Sequence, residues 1–336
     1  MSKILCFGEL LLRLSPELNG EWIKKNSMPV FVGGAELNVA TALSRWEQPV
    51  SYCTALPDNY LSKEVISFIE AKGIDTDRII LSGQRIGSSY LPQGADMKNA
   101  GVIYDRAYSS FWELRPGQID WDRMLDGIGW FHFSAISPAL NADAAAVCLE
   151  AAAAASSKGI TVSVDLNYRA KLWQYGKTPA EVMPALVGHC DVIMGNVWAE
   201  EKMLGIAVDA NLPNEKQAYL DQSEKTSAAI MRQYPKCRQV ANTFRFDEQG
   251  GIRYYATLYE GATLYAANEQ YSTYIVDRVG SGDTFMAGLI YGNRMGHAPA
   301  NIIGFAAAAA FNKLFIKGDA TTASVEEIRK GYLNYA

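Results

Sequence analysis

Asp283 stands in the turn Asp277-Arg278-Val279-Gly280-Ser281-Gly282-Asp283-Thr284-Phe285, which runs into the apolar segment Met286-Ala287-Gly288-Leu289. An acid beside two glycines at a helix start has the makings of a phosphoryl-transfer site. Gly280 and Gly282 let successive backbone N–H groups converge on an anion, and the positive end of a helix beginning near Asp283 adds to the same field. The same residues also describe an ordinary helix N-terminus, with Asp283 as cap and the glycines serving only the turn.

Three further segments place polar side chains where apolar runs end. Gly33 and Gly34 precede a helical stretch with Asn38 one turn in; alone they read as a turn and a helix start. From Asp165 the chain continues Leu166-Asn167-Tyr168-Arg169, and in extended conformation Asp165, Asn167 and Arg169 share one side. They form either a surface salt bridge or a group that faces a ligand. In Tyr104-Asp105-Arg106, Arg106 offers a second planar donor fork. Such forks match carboxylates in a way that an ammonium or a neutral group does not; the alternative is a surface pair with Asp105. Two arginines point to an acidic small molecule.

Positioning these groups requires a scaffold. Ile4 to Phe7 reads as a buried parallel strand whose end, at Gly8, opens into a site. Helical patterns cover 35–46, 61–72 and 142–157, and strand patterns cover 50–55, 130–133, 160–165 and 192–194. This alternation implies a parallel sheet covered on both faces, with ligands beyond the carboxyl ends of its strands. Short β-like pieces at 10–14, 30–32, 87–91 and 101–104, separated by turns such as 16–20 and 93–96, suit a small separate sheet. The alanine run 306–310 is read as a close-packed helix, because Phe305, Phe311 and Leu314 flank it.

Composition narrows the class. The 336 residues suffice for one large α/β domain with an appendage or for two smaller domains. A net charge of -5 and the lack of any Lys/Arg-rich run argue against a nucleic-acid surface. Five widely spaced cysteines without a Cys-x-x-Cys pair indicate free thiols in a reducing cytoplasm, not a disulfide frame or a zinc site. Glu9 and Arg13 break the N-terminal apolar run before it could act as a signal peptide, and nothing approaches a membrane span.

The glycine-bracketed Asp283 near the C-terminus, with Gly33-Gly34 and Asn38 in the proper order before it, resembles the motifs of the ribokinase-like (PfkB) carbohydrate kinases. The resemblance covers nearly the whole chain. Asp165-x-Asn167-x-Arg169-x-x-Leu172-Trp173 and Tyr104-Asp105-Arg106-x-x-Ser109-Ser110, with Tyr90 upstream and 133–140 downstream, are more similar to the 2-keto-3-deoxygluconate kinases of that family than to its fructokinases. The resemblance implies an α/β three-layer sandwich with a mainly parallel central sheet and a small β-sheet lid. The core would comprise 1–9, 35–86 and 112–336, and the lid 10–34 and 87–111.

It further implies ATP-dependent phosphorylation of the C6 hydroxyl of 2-keto-3-deoxygluconate. Asp283 would be the base, with the amides of Gly280, Ser281 and Gly282 as the anion hole. Gly33, Gly34, Asn38, Tyr90, Tyr104, Arg106, Asn167 and Arg169 would contact the sugar acid. Asn196, Thr243, Arg245 and Asn312 would contact the nucleotide, and Glu200 would reach the Mg²⁺ shell through water. The resemblance also leaves room for a monovalent cation and for a homo-oligomer built through the lid sheet.

The sequence departs from the family in places. The usual Asn-x-x-Glu becomes Asn196-Val197-Trp198-Ala199-Glu200, so the acid arrives one residue late, about 100° around a helix. Asn242-Thr243-Phe244-Arg245 lacks the common Thr-x-Gly, Arg278-Val279 replaces Thr-Thr, and Ser281 replaces Ala. A fructokinase or other neutral-sugar kinase is the alternative on the same fold. A catalytically inactive sugar-acid sensor is the alternative from another class.

Overall fold

In Lys3–Phe7 (β1), Ile4 and Cys6 pack to one side and Leu5 and Phe7 to the other, all fully buried. A strand covered on both faces needs apolar side chains at every position, which explains why this run does not alternate with polar residues. The structure, a computed structural model, describes residues 2–93, 101–248 and 250–333. Positions 94–96 of the expected turn lie outside the described residues.

The further strands are β2 (Leu11–Leu14), β3 (Val30–Gly33), β4 (Val50–Cys53), β5 (Ala55–Leu56), β6 (Ile80–Leu81), β7 (Gly87–Tyr90), β8 (Ile103–Asp105), β9 (Ile128–Ser134), β10 (Thr161–Asp165), β11 (Val192–Gly195), β12 (Gln239–Glu248), β13 (Gly251–Glu260), β14 (Thr263–Ala266) and β15 (Gln270–Ser272). The helices are α1 (Glu21–Lys24), α2 (Ala35–Arg45), α3 (Tyr60–Glu70), α4 (Trp121–Met124), α5 (Ala142–Ser157), α6 (Pro179–Val187), α7 (Val197–Leu204), α8 (Lys216–Gln233), α9 (Ser281–Arg294), α10 (Pro299–Lys313) and α11 (Val325–Leu333).

The main sheet runs β14-β13-β12-β11-β10-β9-β1-β4, with β15 also on β13. It is parallel from β4 to β12 and antiparallel beyond. One apolar layer joins it to α2, α3, α9, α10 and α11, and the opposite layer joins it to α4 through α8. This is the expected three-layer arrangement. The alanine run lies inside α10, and its small side chains let α9 come close: a Cβ on Gly288 would stand 2.6 Å from the Cα of Ala306. β12 and β13 form an antiparallel hairpin beyond the parallel part of the sheet, with Gly250-Gly251 between the two β-rich runs as its sequence signal.

The small sheet has the order β3-β2-β7-β8. Its pairing aligns Phe31, Arg13, Ser89 and Tyr104 in one row and Val30, Leu14, Tyr90 and Ile103 in the next. Because side chains alternate along a strand, these rows face opposite sides. Arg13, Ser89 and Tyr104 look into a cavity, whereas Val30 and Ile103 are exposed.

Candidate active site

A cavity of about 630 Å³ lies between the small sheet and the carboxyl ends of the main strands. It sits where an open α/β sheet is expected to bind ligands. One wall is the 277–283 turn. Helix α9 begins at Ser281, with Gly280 as its N-cap at φ 78°, so Asp283 is already the third helical residue. Asp283 does not cap the helix. Its Oδ2 instead accepts a hydrogen bond from Asn38 Nδ2 at 2.7 Å, which rules out the plain capped-helix reading.

The two glycines of this turn do different things. A Cβ on Gly280 would fall 1.7 Å from the backbone oxygen of Asp319, so the left-handed kink there admits no side chain. At Gly282 the nearest atom would be Met194 Cε at 3.9 Å. The space beside Gly282 is therefore open for a ligand to approach the backbone. The first N–H groups of a helix have no intrahelical acceptor, so those of 281–283 are available to an anion. Burial pushes the Asp283 carboxyl up to about 8; Asn38 opposes this, while Asp165 and Glu36 add to it. A carboxyl poised near neutrality suits a proton acceptor.

The opposite wall gathers the expected acid-binding groups. Asn167 and Arg169 line the cavity, but not by continued strand alternation, because β10 stops at Asp165. Asp165 Oδ1 accepts from the Asn167 N–H at 2.9 Å, and Asn167 takes a left-handed φ of 22°. The turn, rather than the two-residue period, brings them together. Arg169 donates from Nη1 to the Tyr168 carbonyl at 3.0 Å, while its Nε is buried without a hydrogen-bond partner. Arg106 also lines the cavity, yet its Nε is bound to Glu9 at 2.5 Å, and Asp105 pairs with Arg85 instead. Gly33, Gly34 and Tyr104 reach the cavity; Gly34, at φ 139°, leaves a would-be Cβ only 2.5 Å from the Glu9 carbonyl.

Asn196, Thr243 and Arg245 line the side toward β11 and β12. Asn196 Oδ1 is already used as the N-cap of α7, accepting from the Ala199 N–H at 2.8 Å. Three expected site residues lie elsewhere. Tyr90 sits in the outward row of the small sheet, one residue out of phase with Ser89. Glu200 is fully buried behind the wall, where Asn242 Nδ2 donates to its Oε1 at 2.5 Å. Asn242 Oδ1 in turn accepts from Ser223 Oγ at 2.6 Å, so the displaced acid serves a buried chain joining α7, β12 and α8. The one-residue shift has turned it from the cavity to the interior. Asn312 is also outside the lining, and its Oδ1 is buried without a partner.

Glu9, Arg13, Glu36 and Asp319 also line the cavity, and no motif of the sequence marks them. Glu9 and Arg106 form the buried pair described above, and Ser109 donates to the other oxygen of Glu9. Glu9 follows the first strand directly, so strand-end position was a usable signal. Glu36, between Gly34 and Asn38, is fully buried; its Oε1 accepts from the Ser134 N–H at 2.9 Å and from Ser134 Oγ at 2.7 Å. Burial pushes it up to about 7. Arg13 donates from Nε to Asp319 at 2.8 Å and stacks over Phe31. The two residues are 306 positions apart, and no local pattern announces such a pair.

A profile described as pfkB family carbohydrate kinase matches residues 1–324. The crystal structure of 2-dehydro-3-deoxygluconokinase from Thermotoga maritima is similar to this chain at a TM-score of 0.88 and 36% identity, covering 99% of this chain and 100% of that one. A 2-dehydro-3-deoxygalactonokinase from Haloferax volcanii is 28% identical, over 98% of this chain and 96% of that protein. A fructokinase with bound ATP from Xylella fastidiosa shares the fold at a TM-score of 0.76 and 20% identity, covering 99% of this chain and 98% of that one.

Fold and comparisons together define a carbohydrate kinase. The chain belongs to the pfkB family; it is a kinase of the sugar or sugar-acid type, and kinases of this family use ATP. Among the described residues no helix is long and apolar enough to cross a membrane.

Proposed function

We propose that this kinase phosphorylates the C6 hydroxyl of 2-keto-3-deoxygluconate (2-dehydro-3-deoxygluconate), giving the 6-phosphate. The carrying observation is Arg169, which lines the cavity with a buried, unpartnered Nε. Such a donor costs on the order of 1–3 kcal/mol, and a bound carboxylate removes that cost. Arg106, with Nε held by Glu9, adds positive charge but has less to offer. Relatives named for the gluconate and galactonate forms of the same acid support this class of substrate.

Asp283 accepts the hydroxyl proton as the sugar oxygen bonds to the γ-phosphorus, the bond to the bridging oxygen breaks, and ADP leaves. Asn38 holds Oδ2 of Asp283 and so leaves Oδ1 for the proton. The amides of Gly280, Ser281, Gly282 and Asp283 meet the charge that develops on the phosphoryl oxygens. Gly33, Gly34, Tyr104 and Asn167 seat the sugar, and Asn196, Thr243 and Arg245 face the nucleotide. ATP with Mg²⁺ supplies the phosphoryl group and neutralises phosphate charge. Mg²⁺ would arrive on the phosphates and keep several of its waters, so it would ask for few ligands from the protein. A monovalent cation beside the turn would find Asp277 and Asp319 already engaged, by backbone amides and by Arg13.

The outward row of the small sheet, with Val30 and Ile103 exposed, suits a second copy of this chain. Five free, buried thiols accord with work in the cytoplasm.

A coupled ADP-release assay across 2-keto-3-deoxygluconate, its galactonate epimer, fructose and ribose tests the assignment. The expected kcat/KM for the acids exceeds that for fructose by at least ~100-fold, as a buried guanidinium–carboxylate contact implies. A preference for a neutral ketose overturns it in favour of a fructokinase; tight acid binding without ADP formation overturns it in favour of a sensor.

A further inference from the structure

Lys313 is the last residue of α10 and has no exposed surface. Its Nζ donates to the Ile316 carbonyl at 2.8 Å, and its Cε lies 3.4 Å from where a Cβ on Gly280 would stand. The lysine stem is thus the floor of the kink that starts the anion turn. Around it are Asp277, which accepts from the N–H groups of Val279 and Gly318, both at 3.0 Å, and Asp319, which is held by Arg13. Arg13 Nη2 is also 3.8 Å from Asp277 Oδ2. Leu314, next to Lys313, accepts from the N–H groups of Val276 and Asp277 through its carbonyl.

We propose that Lys313 is a positioning residue for phosphoryl transfer, its ammonium acting as the built-in counter-cation that keeps the 277–283 turn in its anion-receiving shape. The inference rests on the proposed role of that turn. A lysine favours a helix C-terminus while fully solvated, so capping alone does not account for complete burial. Removing an ammonium from water is unfavourable unless nearby charges offset the lost hydration. Here burial pulls the Lys313 pKa down, while Asp277, Asp319 and Asp283 push it back up. The compensation is mutual. Without the ammonium, Arg13 still reaches Asp277 and Asp319 and Arg169 still acts on Asp283, but the repulsion among the three carboxylates is less fully offset, and the turn between Asp277 and Asp283 is free to spread. Gly280 would then leave its kink and the following amides their alignment. Lys313 does not line the cavity. Its removal should therefore affect turnover and spare sugar binding.

The test uses two variants of the full chain. Lys313→Met keeps volume without charge, and Lys313→Ala leaves a hole that ammonium or methylamine can enter. For Lys313→Met we expect a native circular dichroism spectrum, sugar-acid Kd within about threefold of wild type by calorimetry, and kcat lowered at least ~30-fold, as misaligned anion-hole donors imply. For Lys313→Ala we expect added ammonium or methylamine, but not tetramethylammonium, to restore turnover at least ~10-fold. Turnover of Lys313→Met within about threefold of wild type overturns the inference, as does a loss of sugar binding parallel to the loss of turnover. Failure of both amines to rescue Lys313→Ala also overturns it. If neither variant folds, Lys313→Arg keeps the charge and should retain fold and at least ~10% of turnover; an inactive Lys313→Arg reduces the lysine to a structural part. Asp283→Asn run in parallel separates the two readings: if it stays active, the role of the turn falls, whereas an inactive Asp283→Asn beside a fully active Lys313→Met defeats only the Lys313 assignment.

Discussion

The two ends of the cavity differ in how much of their hydrogen bonding the protein satisfies by itself. At the end we assign to phosphoryl transfer, Asp283 is bound to Asn38, Asp277 to two backbone amides, Asp319 to Arg13 and Lys313 to a carbonyl. At the end we assign to the acceptor, Arg169 keeps a buried donor open, and Asn167 is held at a left-handed φ of 22° that an asparagine adopts at some cost. The difference separates two tasks. Charge stabilisation works best when the dipoles are fixed before the reaction, since reorganising them would add to the barrier. Specificity is gained where the site is completed only by the right ligand, because a wrong one leaves a buried group unpaired.

Asp283→Asn would break the comparison most severely. It should lower kcat at least ~100-fold with sugar binding largely kept, measured by ADP release and calorimetry. The base works deprotonated, and burial raises Asp283 to about 8, so wild-type kcat/KM should climb with pH until it levels above that value. Residual activity of the variant should lack that limb; an unchanged profile would remove Asp283 from the role of base. Next in size, Arg169→Ala should raise KM for the sugar acid by roughly 50-fold and for a neutral ketose by much less. Equal losses on both substrates would show that the acceptor end does not read a carboxylate.

Glu200→Gln should have the smallest effect on catalysis, less than about threefold in kcat and in Mg²⁺ dependence, because the acid lies behind the wall. Its effect belongs to stability. Burial raises Glu200 from 4.5 to about 7, so between those values the folded chain binds more protons than the unfolded one. Stability from this group is therefore greatest at low pH and declines as pH rises through the window, by up to about 3 kcal/mol. Thermal melts of the variant at pH 5 and pH 8 should differ less than those of wild type. A tenfold change in Mg²⁺ affinity would instead place the carboxylate in the metal shell.

Local patterns made much of this legible. The strand and helix alternation, the small-sheet segments and the Gly280–Asp283 turn are written in short stretches, where periodicity and backbone constraints act over a few residues. Tyr90 shows the limit: motif position marked it, but register with Arg13 and Tyr104 across the small sheet put Ser89 inward and Tyr90 outward. Glu200 shows another, since a single-residue shift along α7 exchanged the cavity for the interior. Glu9 was open to reading, as the residue that follows a buried strand.

The sequence by itself determined the class of chemistry: an acid beside a glycine-built helix start, two arginines and an α/β alternation are properties of adjacent residues. Tertiary structure decided which charges are free to act. Arg13 meets Asp319 across 306 positions, Glu9 takes up Arg106, and Lys313 comes to lie under Gly280, while Arg169 is left with an open donor. Ion pairing and burial depend on distance in space, which the order of residues along a chain does not state.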